Sequence, residues 1–361
     1  MIENDSNIPF YVKLAQITIG IIGLMFIMYV GQEIIIPLLF SLIVAILLNP
    51  IVNFLIRKRF NRIVAISITV VLATILILGL LFFIGSQLSI FSEALPQLKQ
   101  KFIAMSDDCI VWISQNFNTS QTKIKAWIET QKKEGMSNST AVIGKTLSTI
   151  SGMLILVFLI PIYIFLILYY KPLLLEFIHK IFPTNKNETV EEVLTETKSL
   201  IQSYLLGLLI ETGIVATLNT AALFIIGVDY AILIGVIGAL LNLIPYIGGL
   251  IAIAIPMAIA LATKEPIDAL YVLIAYLVVQ FFDNNFIVPK IVASKVKINA
   301  LTSIVVVLIG GALWGVAGMF LSLPLTAIFK VIFERIEPLK PIGFLIGDNM
   351  PEVTVFGNLR K

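Results

Sequence analysis

The chain has 361 residues, 58% of them hydrophobic and 13% charged, with a mean hydropathy of +1.00 and a formal net charge of +3. Ordinary soluble domains carry about 25% charged residues, so the composition excludes a solvated globule, and the small net charge gives no basis for binding nucleic acid. A single cysteine, Cys109, and a single histidine, His179, exclude an internal disulfide and leave no ligand set for a zinc site or a Ser-His-Asp triad.

The apolar runs are continuous rather than alternating, so backbone polar groups must be met within helices, and the fold class is an all-α polytopic membrane protein. Charge-free runs at 14–32, 34–56 and 63–92 predict three membrane helices in an N-terminal region, residues 1–92. The first reads as a retained helix rather than a cleaved signal: only Lys13 precedes it closely, it is long, and no small-residue cleavage site follows. Arg57-Lys58-Arg59-Phe60-Asn61-Arg62 is the densest basic cluster, which the positive-inside rule assigns to the cytoplasm together with the N-terminus.

The third helix then delivers residues 93–145 to the outside. Leu88, Phe91, Leu95, Leu98 and Phe102 recur at three- and four-residue steps, predicting an amphipathic extracytoplasmic helical subdomain that rests on the membrane surface or a neighbouring protomer. The remainder, 146–340, is expected to form the transport core. Within it the run 146–170 returns inward, 171–198 is a cytoplasmic helical connector, and 199–228 crosses outward to a tight turn at Asp229. Residues 341–361 form a cytoplasmic tail.

Two further charge-free stretches carry the most information. They cover 34 residues (230 through 263) and 32 residues (298 through 329). One crossing takes ~20 apolar residues and two with a turn take ~40, so neither length fits. Pro245, Tyr246, Gly248 and Gly249 interrupt the first; Gly310, Gly311, Gly315 and Gly318, around Trp314, interrupt the second. Broken helices or re-entrant hairpins are expected, and interrupted segments in matching positions point to a transport site. The single crossing 269–282 lies between the two, so the stretches are expected to enter from opposite faces and supply flexible tips for alternating access. Plain helix packing through small residues is the competing reading of these glycines.

Few polar groups stand inside the apolar runs. Glu211 sits near the middle of 199–228, where a charge costs about 2.5–3.5 kcal/mol on insertion scales and requires a partner, a proton or water. Tyr204 and Gly207 share roughly its helix face. Asp283, Asn284 and Asn285 follow the crossing 269–282, with Pro289 and Lys290 just beyond. Such a polar trio can coordinate a cation, bond a hydroxylated solute or cap a helix end, and Pro289 forbids a continuing helix hydrogen bond. Competition between Na⁺ and H⁺ needs a buried carboxylate, and only Asp283 and Glu211 are positioned for it; no other metal site is expected. Ser139-Thr-Ala-Val-Ile-Gly144-Lys145-Thr146 imitates a phosphate-binding loop, but Ser139 replaces the first glycine and no strand precedes it. Without another ATP-binding element, a nucleophile–base pair or a cofactor motif, neither ATP hydrolysis nor enzymatic chemistry is expected.

Several strings resemble a known family: Leu48-Asn49-Pro50-Ile51-Val52-Asn53, Tyr204-Leu205-Leu206-Gly207, Gly227-Val228-Asp229-Tyr230, Asn242-Leu243-Ile244-Pro245-Tyr246-Ile247-Gly248, Asp283-Asn284-Asn285 with Pro289-Lys290, and Gly315-Val316-Ala317-Gly318 through Pro324. Together they are similar to the autoinducer-2 exporter family of prokaryotic permeases across nearly the whole chain. The resemblance implies a multi-span inner-membrane protein of about eight crossings, with an external subdomain after the third. Members are associated with export of a quorum-sensing furanone and others with sodium (or lithium)/proton antiport. The chain departs from the family pattern at Asn299-Ala300, where His-Pro is frequent, and at Leu208, where Gln is common. Glu211 lies outside the matching strings.

The expected function is transport of a small solute across the prokaryotic cytoplasmic membrane without ATP hydrolysis, with a small molecule or ion, the lipid bilayer and further copies of the chain as partners. A Na⁺(Li⁺)/H⁺ antiporter is the alternative within transport. A non-transporting scaffold, recruiting partners through 93–145 and the acidic helix at Glu191 and Glu192, is the alternative from another class.

Overall fold

The computed structural model describes residues 9–117, 120, 122, 139–182, 187–245, 247–293 and 297–348. Tyr246, most of the expected external subdomain beyond residue 117 and the tail beyond residue 348 lie outside them. The helices, in chain order, are α1 (Phe10–Val30), α2 (Gln32–Arg57), α3 (Arg62–Phe117), α4 (Ser139–Ile181), α5 (Asn187–Ile226), α6 (Ala231–Asn242), α7 (Ile247–Thr263), α8 (Pro266–Phe282), α9 (Ala300–Phe333) and α10 (Lys340–Ile346). Among the described residues there is no strand, only an isolated bridge between Ile298 and Gly347. Among the described residues seven helices are long and apolar enough to cross a bilayer. The chain is therefore an all-α, multi-pass membrane protein. The sequence 139–146 lies inside continuous helix α4, so it offers no loop to cradle a phosphate.

Two compact units divide the chain: Val44–Val296, and Met1–Ile43 with Lys297–Lys361. In the first, α2 and α3 are joined by the basic turn. Arg59 adopts φ 70°, Phe60 N–H reaches back to the Leu55 carbonyl, and Asn61 Oδ1 accepts from Ile63 N–H, so one helix is closed and the next opened within four residues. Ala45, Leu48, Val52, Ala65, Ile66, Val70, Ile164 and Leu168 form the buried core where α2, α3 and α4 meet.

Proline in a lipid-embedded helix frees the carbonyl four residues earlier, and hydrocarbon cannot satisfy it. At two prolines a long side chain from a neighbouring helix meets that need. Pro50 frees the Ile46 carbonyl, which accepts from Gln202 Nε2 at 2.7 Å. Pro172 frees the Leu168 carbonyl, which accepts from Arg62 Nη2 at 3.0 Å; the same nitrogen reaches the Tyr169 carbonyl at 2.8 Å.

The second half of this unit packs α5, α6, α7 and α8 together. Gly227, at φ 76°, ends α5 while Val228 N–H bonds the Leu223 carbonyl, and α6 departs at once from Tyr230. Pro266 opens α8, where Asp268 Oδ2 accepts the Glu265 N–H. Leu223, Ile234, Ala260, Val272 and Tyr276 are the centre of this core, with Phe91 of α3 packed against it. The first interrupted stretch is thus two short helices, α6 and α7, with the break following Asn242.

In the other unit the second interrupted stretch is helical from Ala300 to Phe333 except at Trp314 (φ −134°, ψ 16°) and Gly315 (φ 60°, ψ −142°). There the chain doubles back. A Cβ on Gly310 would collide with Ser322 Oγ and the Gly318 carbonyl, eight and more residues away, which a straight helix would hold about 12 Å apart. Trp314 Nε1 donates to the Met28 carbonyl near the end of α1 at 3.0 Å, satisfying a helix-terminal acceptor. Asn299 opens α9 by accepting from Thr302 N–H, and its amide donates to the carbonyls of Leu345, Ile346 and Gly347, which holds α10 against that start.

Candidate functional site

Asp283 is 1% exposed and follows the last residue of α8. Its backbone belongs to a widened turn: Val288 N–H donates to the Asp283 carbonyl five residues back, and the same wide winding resumes at Pro289–Ala293. Pro289 supplies the cause, since it has no N–H to return to residue 285 and its ring crowds that carbonyl. Wide turns inside helices recur at functional sites.

The Asp283 carboxylate is half satisfied. Asn242 Nδ2 donates to Oδ2 at 2.9 Å, whereas Oδ1 is buried without a hydrogen-bond partner among the described residues. Glu211 of α5 is also buried and stands within electrostatic range of Asp283; Tyr204, two turns earlier on α5, stands within range of Glu211. The helices meet closely here. A Cβ on Gly207 would fall 2.6 Å from the Ile291 carbonyl, so α5 presses its Tyr204–Gly207–Glu211 face onto the wide turns. No three His, Cys, Asp or Glu side chains converge among the described residues, so the acidic feature is this pair.

The first break borders the same place. Gly248, in the first turn of α7, lies so near the end of α6 that a side chain would strike the Leu241 carbonyl. Gly249 faces Asn242 Oδ1 and Gln280 Oε1, each 3.4 Å from where its Cβ would lie. Gln280 Nε2 in turn donates to Asn284 Oδ1 at 3.3 Å. Pro245 lies half-buried in the break. Asn285 is turned back onto its own helix, donating to the Phe281 carbonyl at 2.8 Å, and Pro289 and Lys290 are exposed.

A second polar pair lies deeper between α5, α6 and α8. Asn219 Oδ1 and Tyr276 Oη are buried and unpartnered among the described residues, and both side chains border Gly238, whose Cβ would lie 3.6 Å from Asn219 Nδ2 and 3.5 Å from the phenol. Asn219 is eight residues beyond Glu211 and Tyr276 seven before Asp283. The two constellations therefore lie on related faces of the same helices, about two turns apart.

Asp283, Asn284, Gly249 and Glu211 are thus brought together, with Pro245 and Gly248 at the break beside them. Gly310, Gly311, Gly315 and Gly318 belong to the other unit, where Gly310 and Gly318 form the contact of the doubled-back α9 and Gly311 lies against the Met319 side chain. Sequence reasoning missed Asn242, Gln280, Asn219 and Tyr276. For Asn242 a signal existed: it is the last polar residue before the first break, and Asn219, like Glu211, stands within an apolar helix.

The AI-2E family transporter profile matches residues 17–337. The AI-2 transport protein TqsA of Escherichia coli (strain K12) is 25% identical over 349 residues, 95% of this chain and 96% of that protein. A Bacillus subtilis (strain 168) protein named "Putative transport protein YueF" is 24% identical over 313 residues, 83% of each chain.

Proposed function

Because the chain belongs to the AI-2E family of transporters, we propose that it exports a small polar solute across the prokaryotic cytoplasmic membrane, without ATP hydrolysis and coupled to an ion gradient. The observation that carries this reading is the buried Asp283, paired to Asn242 on one oxygen only, with the buried Glu211 within electrostatic range. A buried carboxylate with an open oxygen is costly in a low-dielectric interior, and the cost falls when a proton, cation or donor from a solute arrives. Asp283, Asn242, Asn284 and Gln280 supply the polar contacts to cargo, and Glu211 takes or releases the coupling proton. The break at Pro245–Gly249 is the hinge beside them, and the Gly310–Gly318 turn is a second flexible tip. The name of the Escherichia coli relative supports autoinducer-2 as the first cargo to try.

Two acids in mutual range also favour a second reading, a Na⁺(Li⁺)/H⁺ antiporter in which Asp283 and Glu211 hold cation and proton alternately. Sealed vesicles with oriented protein separate the two. Release of labelled furanone dependent on a proton gradient supports export; a sodium-driven internal pH change without solute release supports antiport. Silence in both assays, from folded and oriented protein, rejects both in favour of a scaffold.

A further inference from the structure

The turn-bearing end of α2, α3 and α4 encloses a cleft of ≈ 220 Å³, lined by Asn49, Asn53, Arg62 and Lys171 among apolar residues including Val52 and Leu175. Its principal polar atoms are donors. Lys171 Nζ donates to Asn49 Oδ1 at 3.0 Å, which leaves the Asn49 amide nitrogen as the free half of that side chain. That residue is 6% exposed, and its Nδ2 is buried with no partner among the described residues. Arg62 spends only Nη2, on the two α4 carbonyls, so Nη1 and Nε carry no bond among the described residues. Lys198, exposed to solvent and outside the lining, adds a further positive charge within electrostatic range of Lys171.

Two partly buried cations lining one cleft with a buried N–H that has no acceptor are costly together unless an anion completes them. Arg62 and Lys171 are also held in position by bonds they already make, so the donors are organised before anything binds. We propose that this cleft binds a phosphate group, received by Arg62, Lys171 and the Asn49 amide. Its surroundings suit the phosphodiester of an anionic phospholipid: Val52, Ile56, Leu168 and Leu175 line the same cleft, giving an acyl chain apolar surface beside the charge. Basic pockets between membrane helices at the cytoplasmic surface bind headgroups by this chemistry, and the basic turn assigns the cleft to that surface. A soluble phosphate would present the same oxygens. This site is separate from the Asp283 constellation and does not depend on the cargo.

The test uses purified full-length protein in neutral detergent, titrated in separate arms with phosphatidylglycerol, phosphatidylcholine and inorganic phosphate. Thermal unfolding and native mass spectrometry are read for the wild type, Asn49→Asp and Lys171→Met. Asn49→Asp preserves side-chain size and the Lys171 contact while setting a negative charge against the phosphate, so it remains informative if Lys171→Met fails to fold. The expected result is at least about tenfold tighter binding of phosphatidylglycerol than phosphatidylcholine, with that preference lost in both folded variants. Saturable stabilisation by millimolar inorganic phosphate, also lost in the variants, with no phosphatidylglycerol preference, would identify the soluble anion as the occupant. Equal phosphatidylglycerol preference in wild type and Asn49→Asp, or no response to either anion, overturns the proposal.

Discussion

Asn242 donates its amide to Asp283 Oδ2 across 2.9 Å, so the last residue of α6 and the residue that follows α8 hold each other although 41 positions separate them. The consequence is mechanical as well as electrostatic. The break after α6 and the wide turns after α8 share one bond, so a change of charge on Asp283 acts on both segments.

Asp283→Asn keeps the shape of the side chain and removes its charge. Transport in vesicles is expected to fall by at least about tenfold, the scale of one interaction worth 1.4 kcal/mol, with thermal stability unchanged or raised because a buried charge has been removed. Unaltered transport would exclude Asp283 from the path.

Glu211→Gln retains hydrogen-bonding capacity without a titratable proton. Under the proposed coupling, solute exchange down its own gradient persists while accumulation driven by a proton gradient disappears. A variant that still concentrates solute against its gradient removes Glu211 from the coupling step.

Gly315→Ala forces an L residue into φ 60°, ψ −142°, a conformation that only glycine adopts readily. A loss of about 1–3 kcal/mol is expected, read as a lower unfolding midpoint in detergent. The neighbouring control is Gly311→Ala, whose methyl meets the flexible end of Met319 and is expected to cost less. Equal costs would mean that the kink is not what constrains position 315.

Gln202→Leu leaves the Ile46 carbonyl without its donor, at an expected cost of about 1–3 kcal/mol. In a Pro50→Ala background residue 50 regains an N–H and the helix can satisfy that carbonyl itself, so the same substitution should cost far less. A double-mutant cycle measures the difference; additive losses refute the assigned role of Gln202.

Much of this architecture is legible locally. Continuous apolar runs identify the membrane helices, because a lipid-embedded backbone must satisfy itself over about 20 consecutive residues. Pro245 with the glycines after it marks the first break, and Gly315 the second, because backbone conformation is decided residue by residue. The length of α3 was less legible: the helix runs on from the expected third span to Phe117, since amphipathic periodicity continues a helix without marking where lipid ends.

The candidate site divides in the same way. Asp283 and Glu211 are visible as isolated acids in apolar sequence, where their cost alone singles them out. Asn242, Gln280, Asn219 and Tyr276 acquire meaning only from what they face. The donors for the Ile46 and Leu168 carbonyls come from 156 and 106 residues away. Hydropathy and backbone preference belong to contiguous residues, so the sequence by itself determined a helical membrane protein, its interruptions and its costly acids. Which polar group meets which was decided by tertiary structure, because in hydrocarbon each such group must take its partner from whichever helix packing brings alongside.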